Sequence, residues 1–474
     1  MSAVEKSVAK SVDVASDIVA REDHISWGTV FAYGAPGVGA GYMFLLLSLY
    51  VMKFSTDVLL IAPAVMGAIF SVSRVWDAIA DPIVGYLSDR TKHRMGRRRV
   101  WMLASIVPTC ATFVMLFSPP QNLGTFELSI WMAVGVIGFY SSITLFAVPH
   151  LSLGAELTTN YHERSRLFGL RHAAFTLGSI LALASMQIFI NAEAKGPEAT
   201  RDAAEWISWL ASGLMFGMVI FAVVKLRERP EFQNRPIGMP YKAFSDVWRN
   251  PHARLLIIVT FIENVGSAAI GALTLYVAQY VVGRLELAPA IILAYMIPST
   301  LSVPMWIPLS RRFGKIRLWV FSMLLTGVSF GVMFSLPFIP DETMRIVVIV
   351  FAAIFAGLAA GCGGTVGPSI QGDVIDYDEY LTGERKEGSY FSAWSFVYKS
   401  ATGVMLLLTG FVLQASGFVP NHEQTMTTKV AMVSLYGIFP LVCYIIGSAM
   451  MVKFKLDERE HARIRAELER RRAA

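Results

Sequence analysis

The chain has 474 residues, 54% hydrophobic and 16% charged, with a formal net charge of +6. Soluble domains carry roughly 25% charged residues, so this chain has too few to cover a water-facing surface, and a soluble globular protein is excluded. Its basic surplus does not imply a nucleic-acid partner, because the Lys and Arg residues cluster in short loops between apolar runs.

In chain order, residues 1–24 are polar and lack the apolar region of a signal peptide. Val4, Val8, Val12, Ile18 and Val19 are spaced as a weak amphipathic helix on the cytoplasmic membrane surface. Apolar runs long enough to cross about 30 Å of hydrocarbon then recur along the whole length. They predict twelve spans, near 27–53, 59–88, 99–118, 127–150, 167–192, 205–226, 254–283, 286–310, 317–338, 343–370, 389–417 and 427–454. The polar break 227–253, with Pro230, Pro236 and Pro240, is a middle loop between an N-terminal bundle (25–226) and a C-terminal bundle (254–454). The tail 455–474 reads as a charged, solvated helix with no apolar stripe. Cys110, Cys362 and Cys443 lie inside apolar runs and read as inert buried thiols.

The loops after spans 2, 4, 6, 8 and 10 are rich in Lys and Arg, whereas 118–127 has neither and 281–289 has only Arg284. The positive-inside rule then puts the rich loops and both termini in the cytoplasm, as in a multi-pass inner-membrane protein.

The second span carries the densest chemistry. Arg74, Asp77 and Asp81 fall at i, i+3 and i+7, on one helical face inside an apolar run. Charges at that depth are costly and face a bundle interior, pair with one another or line an ion path. After span 4 the chain reads Pro149, Glu156 and Glu163-Arg164; after span 10 it reads Pro368, Asp373 and Glu384-Arg385. This echo predicts an all-α membrane protein of two six-helix pseudo-repeats, the design of major-facilitator transporters, with substrate bound between the halves. Asp89, Arg90, Glu156, Arg164, Asp373, Asp376, Glu384 and Arg385 read as cytoplasmic ion-pair latches that make and break during alternating access.

The run Arg74-Val-Trp-Asp77-Ala-Ile-Ala-Asp81-Pro82, with Gly85 and Asp89-Arg90, resembles the second-helix signature of the glycoside–pentoside–hexuronide:cation symporters. Asp373-Val-Ile-Asp376-Tyr377 followed by Lys399 resembles that family's tenth- and eleventh-helix signature, and the likeness covers roughly residues 25–455. The resemblance implies a monomeric transporter with no cofactor, coupled to Na⁺ or alternatively H⁺ or Li⁺. From a melibiose-transporting member it places the cation on Asp77, Asp81 and Thr144. An asparagine ligand of that member falls on Ala80, and the two aspartates could instead share a proton. That member's sugar-holding aspartates fall on Gly41 and Ala147, and its aromatic platforms on Leu151 and Gly364. An animal sodium–lysophosphatidylcholine-transporting member is closer over helices 7 to 9, and places cavity-facing cations at Arg171 and Lys399. The expectation is therefore a lysophospholipid-like amphiphile as substrate, with a sugar or glycoside as the alternative.

Other readings stand beside these. Arg74, Asp77, Asp81 and Lys399 could form a purely structural ion-pair cluster between spans 2 and 11. Glu263 in span 7 is either a substrate or proton group or a neutral buried carboxyl, and His150 is a packed helix-end residue. Asp77-x-x-x-Asp81 with Asp373-x-x-Asp376 also suggests the metal–diphosphate sites of membrane prenyltransferases. An uncoupled lipid scramblase or a transporter-like receptor is a third class.

Overall fold

A computed structural model of the chain describes residues 25–158, 161–229, 247–383, 387–454, 456 and 458–473. Among these, the regular structure is helical throughout. Hydrocarbon offers backbone N–H and C=O groups no partners, and a helix satisfies them within one segment. Eleven helices are long and apolar enough to cross a membrane. They are α1 (Trp27–Leu49), α3 (Arg99–Phe117), α4 (Thr125–Glu156), α5 (Tyr161–Glu193), α6 (Pro197–Lys225), α7 (Pro251–Val282), α8 (Leu285–Trp306), α9 (Lys315–Phe338), α10 (Glu342–Thr382), α11 (Glu387–Ala415) and α12 (Met426–Met451). The remaining membrane-length helix, α2 (Pro63–Arg90), has 28 residues but carries Arg74, Asp77, Asp81, Asp89 and Arg90, which lower its hydropathy.

The internal repeat is visible in the packing. Helix α1 packs on α5 and α6, α2 on α4, and α3 on α4 and α6; six helices later, α7 packs on α11 and α12, α8 on α10, and α9 on α10 and α12. The halves meet most extensively along α2 and α11. Glycines bring these two backbones together: a Cβ on Gly410 would lie 2.3 Å from the Pro63 carbonyl oxygen, and one on Gly67 2.7 Å from that of Leu406. With an even number of crossings, Ile25 and the tail lie on one face, called here the terminal face; the other is the distal face.

Two helix boundaries differ most from expectation, and so does the tail. Helix α10 continues to Thr382, twelve residues past the expected end, and stops where Gly383 adopts a left-handed φ of 73°. Leaving the apolar run does not end a helix, and the polar stretch from Gly372 extends it along the second apolar core, with Val374, Ile375, Asp376 and Asp378 buried. Helix α6 likewise begins at Pro197, earlier than its apolar run, with proline in its first turn and Gly196 before it at φ 115°. The tail is not freely solvated. Its helix, α13 (Glu458–Ala473), packs on α10, burying Ile464 and Leu468 one turn apart in a second apolar core with Val374 and Trp306. Residues 1–24 and much of the expected middle loop fall outside the described residues.

Candidate substrate and cation site

A cavity of about 590 Å³ lies between the halves, walled by α1, α2, α4 and α5 on one side and α7 and α11 on the other. Successive turns of α2 bring Asp77 and Asp81 to this wall, and α11 brings Lys399 from across the seam. The Lys399 Nζ donates to Asp77 Oδ2 at 2.9 Å and to Asp81 Oδ2 at 2.6 Å. From α4, the Thr144 hydroxyl donates to Asp77 Oδ1 at 2.8 Å, with Asp81 Oδ1 3.3 Å away. Asp77 is buried, whereas Asp81 is the more open of the two carboxylates. Pro82 follows it and cannot donate to the carbonyl one turn back. One positive charge thus sits between two carboxylates and a hydroxyl at mid-depth. Hard cations favour oxygen donors, so these residues fit an alkali cation at the position the ammonium takes.

Arg74, expected within this ion-pair set, lies instead with its guanidinium 4.2 Å from the centre of the Tyr140 ring. Arg171 lines the cavity, as expected. Glu263, expected as a substrate group, is not among the lining residues: its neighbour Asn264 faces the cavity, and Glu263 sits behind the wall near Trp319, Tyr295 and Tyr444. On a helix, adjacent residues point about 100° apart, and spacing alone does not say which faces inward. His150 is packed, stacked between Tyr33 and Phe146 with Nε2 2.9 Å from the Tyr33 carbonyl oxygen.

The family positions for sugar recognition differ in an explicable way. Gly41 holds α1 against α5, and a Cβ there would come 2.0 Å from the Phe175 carbonyl oxygen, so an aspartate would require the helices to separate. Ala147 and Leu151 line the cavity, and Gly364 does not. Aromatic surface comes instead from Phe44, Phe70, Phe175 and Tyr398. Sequence reasoning missed these four, since an aromatic residue within an apolar span carries no signal of its direction.

Among the described residues, the expected latches Asp89, Glu156, Asp373 and Asp376 have ion-pair partners within their own halves. Arg98 binds Asp89, and Arg97 and Arg98 bind Glu156 at 2.8 and 3.0 Å. Glu228 accepts the backbone N–H groups of Arg97, Arg98 and Arg99. Arg90 lies over the Tyr86 ring. In the other half, Lys315 binds Asp373 at 2.7 Å, and His461 of α13 sits 3.0 Å from Asp376. The Arg164 side chain, Glu384 and Arg385 lie outside the described residues.

The halves are tied across the distal face by a network that sequence reasoning did not find. The buried Lys53 ammonium binds Glu193 at 2.8 Å and Asp57 at 3.3 Å. Tyr280 of α7 donates to Asp57 Oδ2 at 2.7 Å, Asn421 donates its amide to the Asp57 carbonyl at 2.7 Å, and the Thr56 and Tyr276 hydroxyls meet at 2.7 Å. The sequence signal was the pair Lys53 and Asp57 at i, i+4 beside the end of a span.

The fold, the repeat and a charged cavity between the halves define a secondary transporter of the major facilitator type. The profile of the family described as MFS/sugar transport protein matches residues 32–458, and the chain belongs to that family. It is 28% identical over 462 residues to the isoprimeverose transporter of Lactiplantibacillus pentosus, covering 96% of this chain and 94% of that one. It is 25% identical over 423 residues to the inner membrane symporter YicJ of Escherichia coli (strain K12), covering 89% and 90%. The crystal structure of a D-xylose–proton symporter superposes with a TM-score of 0.64 at 13% identity, covering 90% of this chain and 97% of that one. The protein is therefore a multi-pass membrane transporter and not an enzyme. The prenyltransferase reading also fails on geometry, since Asp77 and Asp81 are held at mid-depth by Lys399, and Asp373 and Asp376 at the terminal face by Lys315 and His461. The expected amphiphile substrate finds no support among these relatives; the alternative, a sugar or glycoside, does.

Proposed function

We propose that the protein is a cation-coupled sugar or glycoside symporter of the inner membrane, with both termini cytoplasmic. The observation that carries this is the convergence of Asp77, Asp81, Thr144 and Lys399 on one cavity that also presents Arg171, Phe175 and Tyr398. Aromatic faces suit the apolar side of a sugar ring, and the cations and carboxylates suit its hydroxyls. The coupling ion, Na⁺ or alternatively H⁺ or Li⁺, takes the place of the Lys399 ammonium between the two aspartates. Lys399, so released, turns to the substrate. The ion then strengthens sugar binding because it supplies the charge that the displaced ammonium supplied, and the coupling runs equally in both directions. The distal network of Lys53, Asp57, Glu193, Tyr280 and Asn421 is the gate that opens when the halves rock. The orientation rests on the basic loops at the terminal face, and the membrane on the similarity to the inner membrane symporter YicJ.

The test uses purified protein in proteoliposomes offered labelled isoprimeverose, a galactoside, a glucuronide and lysophosphatidylcholine in turn, with an inward Na⁺ or proton gradient. The expected result is gradient-driven accumulation of a sugar, reduced by at least about tenfold in Asp77→Asn and Asp81→Asn. Uptake of lysophosphatidylcholine alone would restore the amphiphile, and sugar uptake indifferent to both gradients and to both substitutions would overturn the coupling.

A further inference from the structure

Beside the main cavity lies a second one of about 220 Å³, walled mostly by helices of the C-terminal half and closed on one side by Leu45 and Leu49 of the first half. The two share Leu45, Ser267 and Gly271 in their walls, so they adjoin along one turn of α7. Nothing lies within 4 Å of where a Cβ on Gly271 would be, and the junction is therefore bare of side chain. Beyond it the walls are Tyr295, Met296, Phe330, Met333, Tyr436 and Tyr444. Of the polar atoms there, Thr274 Oγ1 donates to the Ile270 carbonyl at 2.6 Å and lies 3.3 Å from the Tyr436 hydroxyl, and Ser267 Oγ donates to the Asn264 carbonyl at 3.3 Å. Most of the lining is apolar side chain.

We propose that this side chamber receives an aryl or similarly compact apolar aglycone, so that glycosides bearing one bind in preference to the free sugar. The inference rests on the sugar and glycoside reading above and names the substrate class within it. Size and chemistry both support it. An apolar cavity of about 150 Å³ stays dry and takes up a benzene ring, and this chamber is larger. A pyranose would strand its hydroxyls there at a large cost, so the sugar stays in the main cavity beside Asp77, Arg171 and Lys399. A ring entering past Gly271 meets the faces and edges of three tyrosines and the flexible Met296, surfaces that favour aromatic contact.

The experiment measures competition against the transported sugar in proteoliposomes by the methyl and p-nitrophenyl glycosides of that same sugar. Wild type is expected to bind the nitrophenyl glycoside at least about tenfold more tightly, as burial of one ring implies. Two chamber-filling substitutions, Ala353→Leu and Ile292→Phe, are expected to cut that advantage to about threefold or less while the methyl glycoside competes as before. Equal affinity for the two glycosides in wild type would overturn the chamber and leave the symporter standing. So would equal losses for both glycosides in a folded filling variant. If no sugar or glycoside is bound by wild type, the function proposed above falls and the chamber with it.

Discussion

At the scale of residues, the central question is how two carboxylates are held ready at mid-depth without an uncompensated charge. Lys399 supplies the compensation, and the Thr144 hydroxyl donates to Asp77 with Asp81 close by. Removing that hydroxyl leaves the Asp77 carboxylate oxygen short of a donor, at a cost of roughly 1–2 kcal/mol. Thr144→Val should therefore raise the half-saturating cation concentration for uptake about 5- to 30-fold, and Thr144→Ser should stay near wild type; a cation titration of initial uptake rates measures both. Asp77, Asp81 and Lys399 were legible in the sequence because a charge inside an apolar run is costly and rare, whereas Thr144, an uncharged hydroxyl, came only from the family resemblance. Glu263 is just as conspicuous for the same reason, yet it lies behind the wall, since rarity marks a residue without giving its direction. The aromatic faces of Phe175 and Tyr398 were invisible for the opposite reason: in an apolar helix they look like packing.

At the scale of elements, the distal network shows what short polar segments do between long apolar ones. Lys53 ends a short helical turn (Val51–Lys53) just beyond α1, and its ammonium has two carboxylates within reach in a nearly water-free setting. Breaking a buried pair by removing one partner costs about 3–5 kcal/mol, because the other charge stays buried. Lys53→Met should therefore destabilise the closed distal face. Its check is labelling of Ser48→Cys, which lines the main cavity, by an impermeant maleimide added from the distal side; the rate should rise several-fold, and an unchanged rate would remove the network from gating. The tail teaches a related lesson. Two buried apolar residues, Ile464 and Leu468, are enough to dock α13 on α10, but two are too few to register as a stripe in a run of charges. Helix α10 was cut short in the sequence reading because hydropathy reports the membrane boundary and not the helix end.

At the scale of the whole molecule, the two halves need a seam that holds them yet lets them rock. The backbone approach of α2 and α11 at Gly67 and Gly410 provides close packing with no side chains to disengage. Gly410→Leu would place atoms where the Pro63 carbonyl oxygen stands, and overpacking of this kind costs about 1–3 kcal/mol or more. The expected outcome is a lower thermal midpoint in detergent and loss of uptake, while Gly169→Ala, where a Cβ meets nothing within 4 Å, leaves both unchanged. The architecture was legible at this scale, since span lengths, loop charges and the echo between halves all follow from the bilayer as solvent. The choice of substrate was not, because it depends on the few side chains that face one cavity.

The burial of the distal network has a further consequence, for the surroundings the protein can tolerate. Mobile ions weaken only those charges they can approach, and exposed pairs fade within a screening length of about 8 Å at physiological ionic strength. Lys53 and Asp57 are 1% and 2% exposed, so brine and fresh water act on them alike. The contact between His461 and Asp376 at the opposite face is more open and feels the composition of its own compartment. A carrier built this way has a contact on the distal face that does not respond to the salt of its medium, and a contact on the terminal face that does.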